Sequence, residues 1–436
     1  MYGDFMLRII YLQTEVQAEL QRISDRASDT ALQSQENLVK EIVTTVKNKG
    51  DRALIDYTAQ FDQQIVTPEQ FRIRGSELDA AYQQLSQDLI HAIQLACQNI
   101  TAFHRQRIPK SWVQFAEDEI VLGQRYIPID RVGLYIPGGR AAYPSTVLMS
   151  IIPAKVANVP RIVMVTPPGE NLKINPAVLV AAQEAGVDEI YRLGGAQGIA
   201  ALAYGTETIP QVDFIAGSGN TYVNLAKKIV YGKVGIDSST TGAEIIIIAD
   251  ENANPVHIAA DLIATAAQNY LAAAILLTID TKIAHQVQQE VKQQLENHPL
   301  KTLTEKAISH YGVIGVVESL EIAAELSNFF APKHLALHLS DPWALIEQIR
   351  HAGTIFMGDS TPEAVGHYLA GPNHILPTSG TARFASALGV ETFLKQSSVI
   401  EYSPTALKKM SSTLQILARV EGRLSHTDSI RFRTDK

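Results

Sequence analysis

Gly194-Gly195-Ala196-Gln197 and Gly217-Ser218-Gly219-Asn220 decide how this chain is read. Each is a glycine turn inside a strongly apolar segment, placed where a strand should end and a helix begin. In an open α/β sheet, ligands sit outside the carboxyl ends of the strands, where bare backbone N–H groups and helix N-termini meet phosphate. An isolated pair of such turns is better read as tight backbone and nothing more. A third turn just upstream, Gly133-Leu134-Tyr135-Ile136-Pro137-Gly138-Gly139, shifts the reading, because three turns closing strands of one sheet converge on one crevice.

Outward from these turns the pattern alternates strand and helix. Arg161 to Thr166 is a β-branched run, Asn175-Pro176 caps and starts a helix that Gly186 closes, and Asp188 to Leu193 is the next strand, which makes a βαβ unit. The same grammar returns from Glu244, with Ile245 to Ile248 as a buried strand, Asn254-Pro255 opening a helix and Ala274 to Ile279 as a strand. That repetition points to a duplicated half. Further strands are expected at Val313 to Val317 and Gly353 to Met357, with Asp341-Pro342 capping a helix between them.

Before the turns, residues 1–32 read as a detached helical arm. Leu38, Ile42, Val43 and Val46 fall at helical spacing up to Gly50, and a second helix is expected from about Ser76 to Gln106. Residues 107–131 read as a β-hairpin around Trp112 to Phe115 and Glu119 to Ile127, with Gly123 in or beside its second strand. After the last strand, Pro404 to Gly422 is an amphipathic helix carrying Leu407, Met410, Leu414 and Leu417, followed by a polar tail.

Composition narrows the class. The 436 residues are 46% hydrophobic and 19% charged with a net charge of -8, which suits a globular chain with real cores and argues against nucleic acid or an anionic membrane as partner. Cys97 is the only cysteine, so an internal disulfide and a cysteine zinc ribbon are excluded, and a core-filling role in a reducing cytoplasm is expected. No apolar run has the length of a membrane span, and Met1 to Leu12 lacks the pattern of a signal peptide.

Five blocks in order now carry a resemblance: Gly133 to Gly139, Gly194-Gly-Ala-Gln-Gly-Ile-Ala-Ala-Leu-Ala-Tyr-Gly205-Thr206, Gly217-Ser-Gly-Asn220, Pro332-Lys-His-Leu335, and Gly371-Pro-Asn-His-Ile-Leu-Pro-Thr378. Together they closely resemble the histidinol dehydrogenase family, from about residue 30 to His426. The resemblance implies a homodimer and an α/β fold of two Rossmann-like domains with a helical N-terminal arm and an extended C-terminal tail. It also implies NAD-dependent oxidation of L-histidinol to L-histidine in two hydride transfers, with zinc. The expected division is an arm (1–32), a domain from 33–112 plus 244–387, a hairpin linker (113–129), an NAD-binding domain (130–243) and an intersubunit tail (388–436).

Residue by residue, the resemblance places NAD at Tyr135, Gln197 and Asn220, one in each glycine turn. Gly217-Ser-Gly219 is still not a Rossmann fingerprint, since Tyr222 stands where a third glycine would allow close packing, and Asp237 reads as a turn residue rather than a ribose contact. The family's zinc ligands are a Gln and a His three residues apart, an Asp and a second His. Here those positions are Thr265, Gln268, His367 and His426, so three of the four differ and zinc is doubtful. The family's Glu-His acid–base pair is Lys333-His334, in which His334 remains available as a base but an ammonium cannot activate water. A substrate-contacting Ser of the family is Ala243, and the family's Glu at Glu421 is kept. Two readings follow. One is an NAD-dependent dehydrogenase of histidinol at reduced efficiency or of another small alcohol, with His334 as base and Lys333 or His367 polarising the substrate oxygen. The other is a non-catalytic paralogue with a binding or regulatory role.

Overall fold

The computed structural model describes residues 7–27, 31–138, 142–237 and 242–435. Residues 1–6 and 28–30 of the expected arm, and Gly139 of the first glycine turn, lie outside the described residues.

The chain opens with a short strand β1 (Ile9–Ile10) and helix α1 (Gln13–Ser24). Helices α2 (Ala31–Lys49), α3 (Asp51–Phe61), α4 (Pro68–Phe71), α5 (Gly75–Gln84) and α6 (Gln87–Arg105) follow. The single helix expected over 76–106 is two. Leu85 leaves helical geometry at ψ 150°, and Ser86 restarts it by accepting the Leu89 N–H at 3.3 Å. The hairpin strands β2 (Trp112–Ala116) and β3 (Ile120–Pro128) come next and pair antiparallel, with Gly123 inside β3 opposite Val113.

The first parallel sheet is then laid down as β4 (Arg131–Tyr135), α7 (Pro144–Val156), β5 (Arg161–Thr166), α8 (Pro176–Ala185), β6 (Glu189–Arg192), α9 (Gly195–Tyr204), β7 (Phe214–Ala216), α10 (Thr221–Val230) and β8 (Gly235–Ile236). Its strand order is β6-β5-β4-β7-β8. Local chemistry sets the boundaries: Asn175 accepts the Ala177 N–H at 2.9 Å to start α8, and Gly186, at φ 80°, supplies the left-handed residue that ends it.

The second parallel sheet repeats the plan. It runs β9 (Glu244–Ala249), α11 (Pro255–Ala266), β10 (Ala273–Thr278), α12 (Thr281–Leu295), α13 (Lys301–Tyr311), β11 (Gly312–Val316), α14 (Leu320–Phe330), β12 (His334–His338) and β13 (Thr354–Met357). The order is β1-β11-β10-β9-β12-β13. With β1 set aside as an added edge strand, both sheets place three strands one way and two the other, so the duplication suggested by sequence is present in topology. Strands β9 and β10 are buried along their whole length, which is why they read as Ile, Leu and Ala runs; β12 is equally buried but begins and ends on histidine. The chain closes with α15 (Glu363–Tyr368), β14 (Leu394–Glu401), α16 (Pro404–Val420) and α17 (Leu424–Thr434); β14 pairs with β3 across the hairpin.

Several expectations change. The arm is not detached, because β1 pairs in parallel with β11 and α1 buries Val16, Leu20 and Ile23 against the second sheet. Residues 33–112 belong with the first sheet instead of the second: Val39, Ile42 and Phe71 pack with Val163 and Ile199, and Ile93 and Ile100 with Val132 and Met164. The arm thus has a sheet to pack on and 33–112 packs on the other sheet from the one expected, since helical periodicity shows an apolar stripe but not which sheet receives it. Asp341-Pro342 opens only a 3₁₀ turn (Pro342–Ala344), while α14 and β12 occupy the interval. The tail is a strand and two helices.

At the carboxyl end of β12, His338 is 2% exposed and lies between two acids, with Nδ1 2.7 Å from Asp359 Oδ1 and Nε2 3.6 Å from Asp261 Oδ2. His257 and Asp250 lie on the elements packed beside them, and His257 Nδ1 is 3.8 Å from Asp359. Burial pulls the His338 ring down, but the two carboxylates outweigh it and raise the ring above its ordinary value. A raised folded pKa stabilises the fold fully below the unfolded value of about 6.5, and that stabilisation is lost as pH rises through the folded value. His338→Gln should therefore cost stability at pH 5 to 6 and progressively less toward pH 9, read as urea midpoints of both proteins across that range. Parallel curves would refute the charged imidazole.

Candidate functional site

A cleft of about 740 Å³ lies between the carboxyl ends of β4 and β7 and the amino ends of β9 and β12, with α15 along its wall. Gly217 to Gly219 line one side, and Ala243, Gln268, Lys333, Glu363 and His367 the other. The cleft sits at the point where strand order reverses in the first sheet, the place where such sheets hold ligands.

On the glycine side, Gly217 needs its lack of a side chain twice over. Its φ is +111°, and a Cβ there would lie 2.2 Å from the Tyr135 carbonyl oxygen. Asp237 secures this turn: it accepts the Gly217 N–H at 2.9 Å and pairs with the ammonium of Lys227, which is 1% exposed and also donates to the Gly217 carbonyl at 2.9 Å. Asp237 is thus neither a simple turn residue nor free for a ribose. Tyr135 is buried, and its hydroxyl accepts the Gly195 N–H at 3.3 Å. Gln197 is 1% exposed and its Nε2 is buried without a hydrogen-bond partner, while Asn220 caps α10 by accepting the Val223 N–H at 3.1 Å. Asp62 lies close enough to Tyr135 to act on it electrostatically; its Oδ2 is buried without a hydrogen-bond partner, and burial raises its carboxyl to about 6. None of Tyr135, Gln197 and Asn220 forms the cleft wall itself. They underlie turns whose N–H groups and helix starts do. The orphaned Gln197 amide and the α9 and α10 N-termini fit a dinucleotide, whose phosphates and hydroxyls they would hold.

The other side is organised around a residue that sequence reading passed over. Glu363, 6% exposed at the start of α15, accepts the Thr265 hydroxyl at 2.7 Å on Oε2 and the Gln268 amide at 3.2 Å on Oε1. His334 Nδ1 is 3.1 Å from the same Oε1, although off the line of a good hydrogen bond, and His367 Nδ1 is 3.8 Å away. Burial alone would raise the Glu363 carboxyl, but the His334 ring, the Thr265 hydroxyl and the Lys333 ammonium hold it down to about 2. Burial lowers His334, and the pull of Glu363 does not restore it. The pair is therefore a carboxylate beside a neutral imidazole at neutral pH. Burial also lowers Lys333, against the opposing charges of Glu363 and Glu244.

His334 does not line the main cleft. It is 2% exposed and opens on a void of about 10 Å³ that it shares with His367 and His374. Those two rings stack at 4.4 Å and do face the cleft; burial lowers His367 to about 4 and His374 to about 3. Beneath Lys333, Glu244 is fully buried. It pairs with Arg26 at 2.5 Å and accepts the backbone N–H groups of Lys333 at 3.1 Å and Ser379 at 3.0 Å.

The expected zinc positions do not fit a zinc ion. Thr265 donates its hydroxyl and Gln268 one amide N–H to Glu363, and His426 is exposed on α17, outside the residues that line this cleft. Among the described residues, no group of three or more His, Cys, Asp or Glu is arranged to hold a metal. Glu421 is likewise exposed, at the end of α16, with Arg423 3.2 Å away, and Ala243 is buried at the cleft floor. Nothing in the sequence pattern singled out Glu363. The only available signal was a carboxylate four residues before His367, one helical turn away and on the same face.

Comparison with known proteins completes the description. A family model described as histidinol dehydrogenase matches residues 25–434. The chain is 64% identical to histidinol dehydrogenase of Thermosynechococcus vestitus over 98% of this chain and 99% of that one. It is also 64% identical to histidinol dehydrogenase 2 of Trichormus variabilis, with the same coverage. Among solved structures it superposes on histidinol dehydrogenase from Elizabethkingia anophelis with a TM-score of 0.93 at 34% identity, over 100% of this chain and 99% of that one.

Proposed function

The chain belongs to the histidinol dehydrogenase family, and from that premise we propose that it is an NAD-dependent oxidoreductase of a small alcohol or amino alcohol that works without zinc and oxidises histidinol with reduced efficiency. The observation that carries this reading is that Thr265 and Gln268 both donate to Glu363, and a hydroxyl and an amide are in any case poor substitutes for the donors a zinc site uses. NAD bound at the glycine turns would accept the hydride. The chain's part is to hold the substrate hydroxyl in the cleft and remove its proton. The imidazole cluster suits that task, with His367 and His374 on the wall and neutral His334 behind them as the base. Lys333 or His367 would polarise the substrate oxygen, and Lys333 leaves the chain without the family's carboxylate for activating water, so the second oxidation should be the slower one.

A second subunit completes this reading. Met410, Leu414 and Leu417 on α16 and Phe115 and Ile400 on the small sheet are exposed apolar side chains, and a homodimer would cover them and bring Glu421 and His426 to a neighbouring cleft. Among the described residues no helix is long and apolar enough to cross a membrane.

Protein purified without chelator should contain much less than one zinc per subunit by elemental analysis. NADH formation from L-histidinol should be slow, and equal with and without added zinc or chelator. Stoichiometric zinc that disappears in His367→Ala or His426→Ala would sink the zinc-free reading. Fast conversion of histidinol to histidine in chelator would sink the reduced efficiency.

A further inference from the structure

The three altered positions share one neighbour. Thr265, Gln268 and His367 come from α11, the turn after it and α15, yet all face the Glu363 carboxylate, at 2.7, 3.2 and 3.8 Å. A metal site gathers electron-pair donors around a cation, whereas this arrangement gathers hydrogen-bond donors around an anion. Oε1 also faces His334 Nδ1, and Oε2 is taken by Thr265, so the hydroxyl and the amide fix both the position and the rotation of the carboxyl plane. A carboxylate held in that way favours the imidazole tautomer with its proton on Nδ1 and leaves Nε2 as the acceptor.

We propose that Thr265 and Gln268 are positioning residues, a two-point clamp on Glu363 that holds His334 in the tautomer a general base requires. The role toward a base rests on the oxidoreductase reading above; the clamp itself does not. Thr265 acts through its hydroxyl rather than its methyl group, and Gln268 through its amide N–H. The rim of His367 adds a weaker contact to the same oxygen.

The test is low-field proton NMR of the full-length protein, which needs no turnover. Wild type should show a low-field ring N–H resonance that is absent in His334→Gln. Thr265→Val keeps the shape of the side chain but removes the donor, and should abolish the resonance through faster exchange with water; Thr265→Ser should restore it. Gln268→Ala, at an exposed site where folding is not in question, should shift or broaden it. The proposal is overturned if Thr265→Val and Gln268→Ala leave the resonance and its exchange as in wild type, or if Thr265→Ser behaves as Thr265→Val does. Should Thr265→Val fail to fold, Gln268→Ala alone decides. In the NADH assay, the same variants should lower kcat and leave KM for NAD unchanged. An intact resonance pattern with no NADH from any alcohol would refute the oxidoreductase reading and leave the clamp standing.

Discussion

Thr265→Gln, Gln268→His, Lys333→Glu and His367→Asp made together are expected to raise zinc-dependent oxidation of histidinol at least about 100-fold above any one of them alone, because groups that act as a unit are strongly non-additive and losing even a supporting group behind a metal ligand costs about 10 to 100-fold. Each single change leaves the anion-centred network largely in place. Lys333→Glu alone would remove the ammonium that helps hold Glu363 ionised and set a third carboxylate beside Glu363 and Glu244, so it should lower activity rather than restore it. The combined change replaces three of the neighbours of Glu363 with metal donors while the glycine turns stay as they are. The measurement is kcat/KM for histidinol at fixed zinc. If Lys333→Glu by itself supplied most of the gain, the altered ligands would not be what limits the reaction.

Arg26→Ala should destabilise the fold by about 3–5 kcal/mol, the usual cost of leaving a buried carboxylate without its partner. Glu244 is fully buried and the Arg26 side chain only 3% exposed, so water cannot take the guanidinium's place at the carboxylate without opening the base of the cleft. The same carboxylate holds the Lys333 and Ser379 backbone, so the variant should also weaken whatever binds beside Lys333. Arg8→Ala is the control, since its partner is reached from a side chain that is 50% exposed, and an ion pair of that kind is worth at most about 1 kcal/mol. Urea midpoints of the two variants settle the matter; equal midpoints would mean that the Glu244 carboxyl is protonated or hydrated in the folded state.

How far the sequence could be read depended on whether a feature is local. Caps and left-handed turns are decided within a few residues, so Asn175-Pro176, Asn254-Pro255 and Gly186 marked helix ends correctly, and the Ile245 to Ile248 run marked a doubly covered strand. The start of β12 is hidden in the sequence because a five-residue strand that begins and ends on histidine leaves little periodicity to detect. The allocation of α1 and α2 to their sheets is a long-range fact, visible only in contacts such as Ile9 with Ile314. The site behaved in the same way. The family resemblance brought Thr265, Gln268, Lys333, His334 and His367 together as one constellation, four of them altered, but the partner that unites them, Glu363, could be found only from distances.

The pairing of β1 with β11 also bears on how the molecule is made. Ile9 leaves the ribosome roughly three hundred residues before its partner Ile314, which at about 10 residues per second is a delay of about half a minute. During that interval the strands of the first parallel sheet and α2 to α6 are all made, although one of its two cores stays incomplete until Ile375, Leu388, Val390 and Phe393 arrive. The leading strand and the apolar face of α1, with Val16, Leu20 and Ile23, must wait without a surface to bury against. Synthesis from one end therefore separates a half whose strands are made early from a half whose β1 and α1 wait for partners made late, and the waiting segment is where a chaperone or a neighbouring nascent chain would find something to hold.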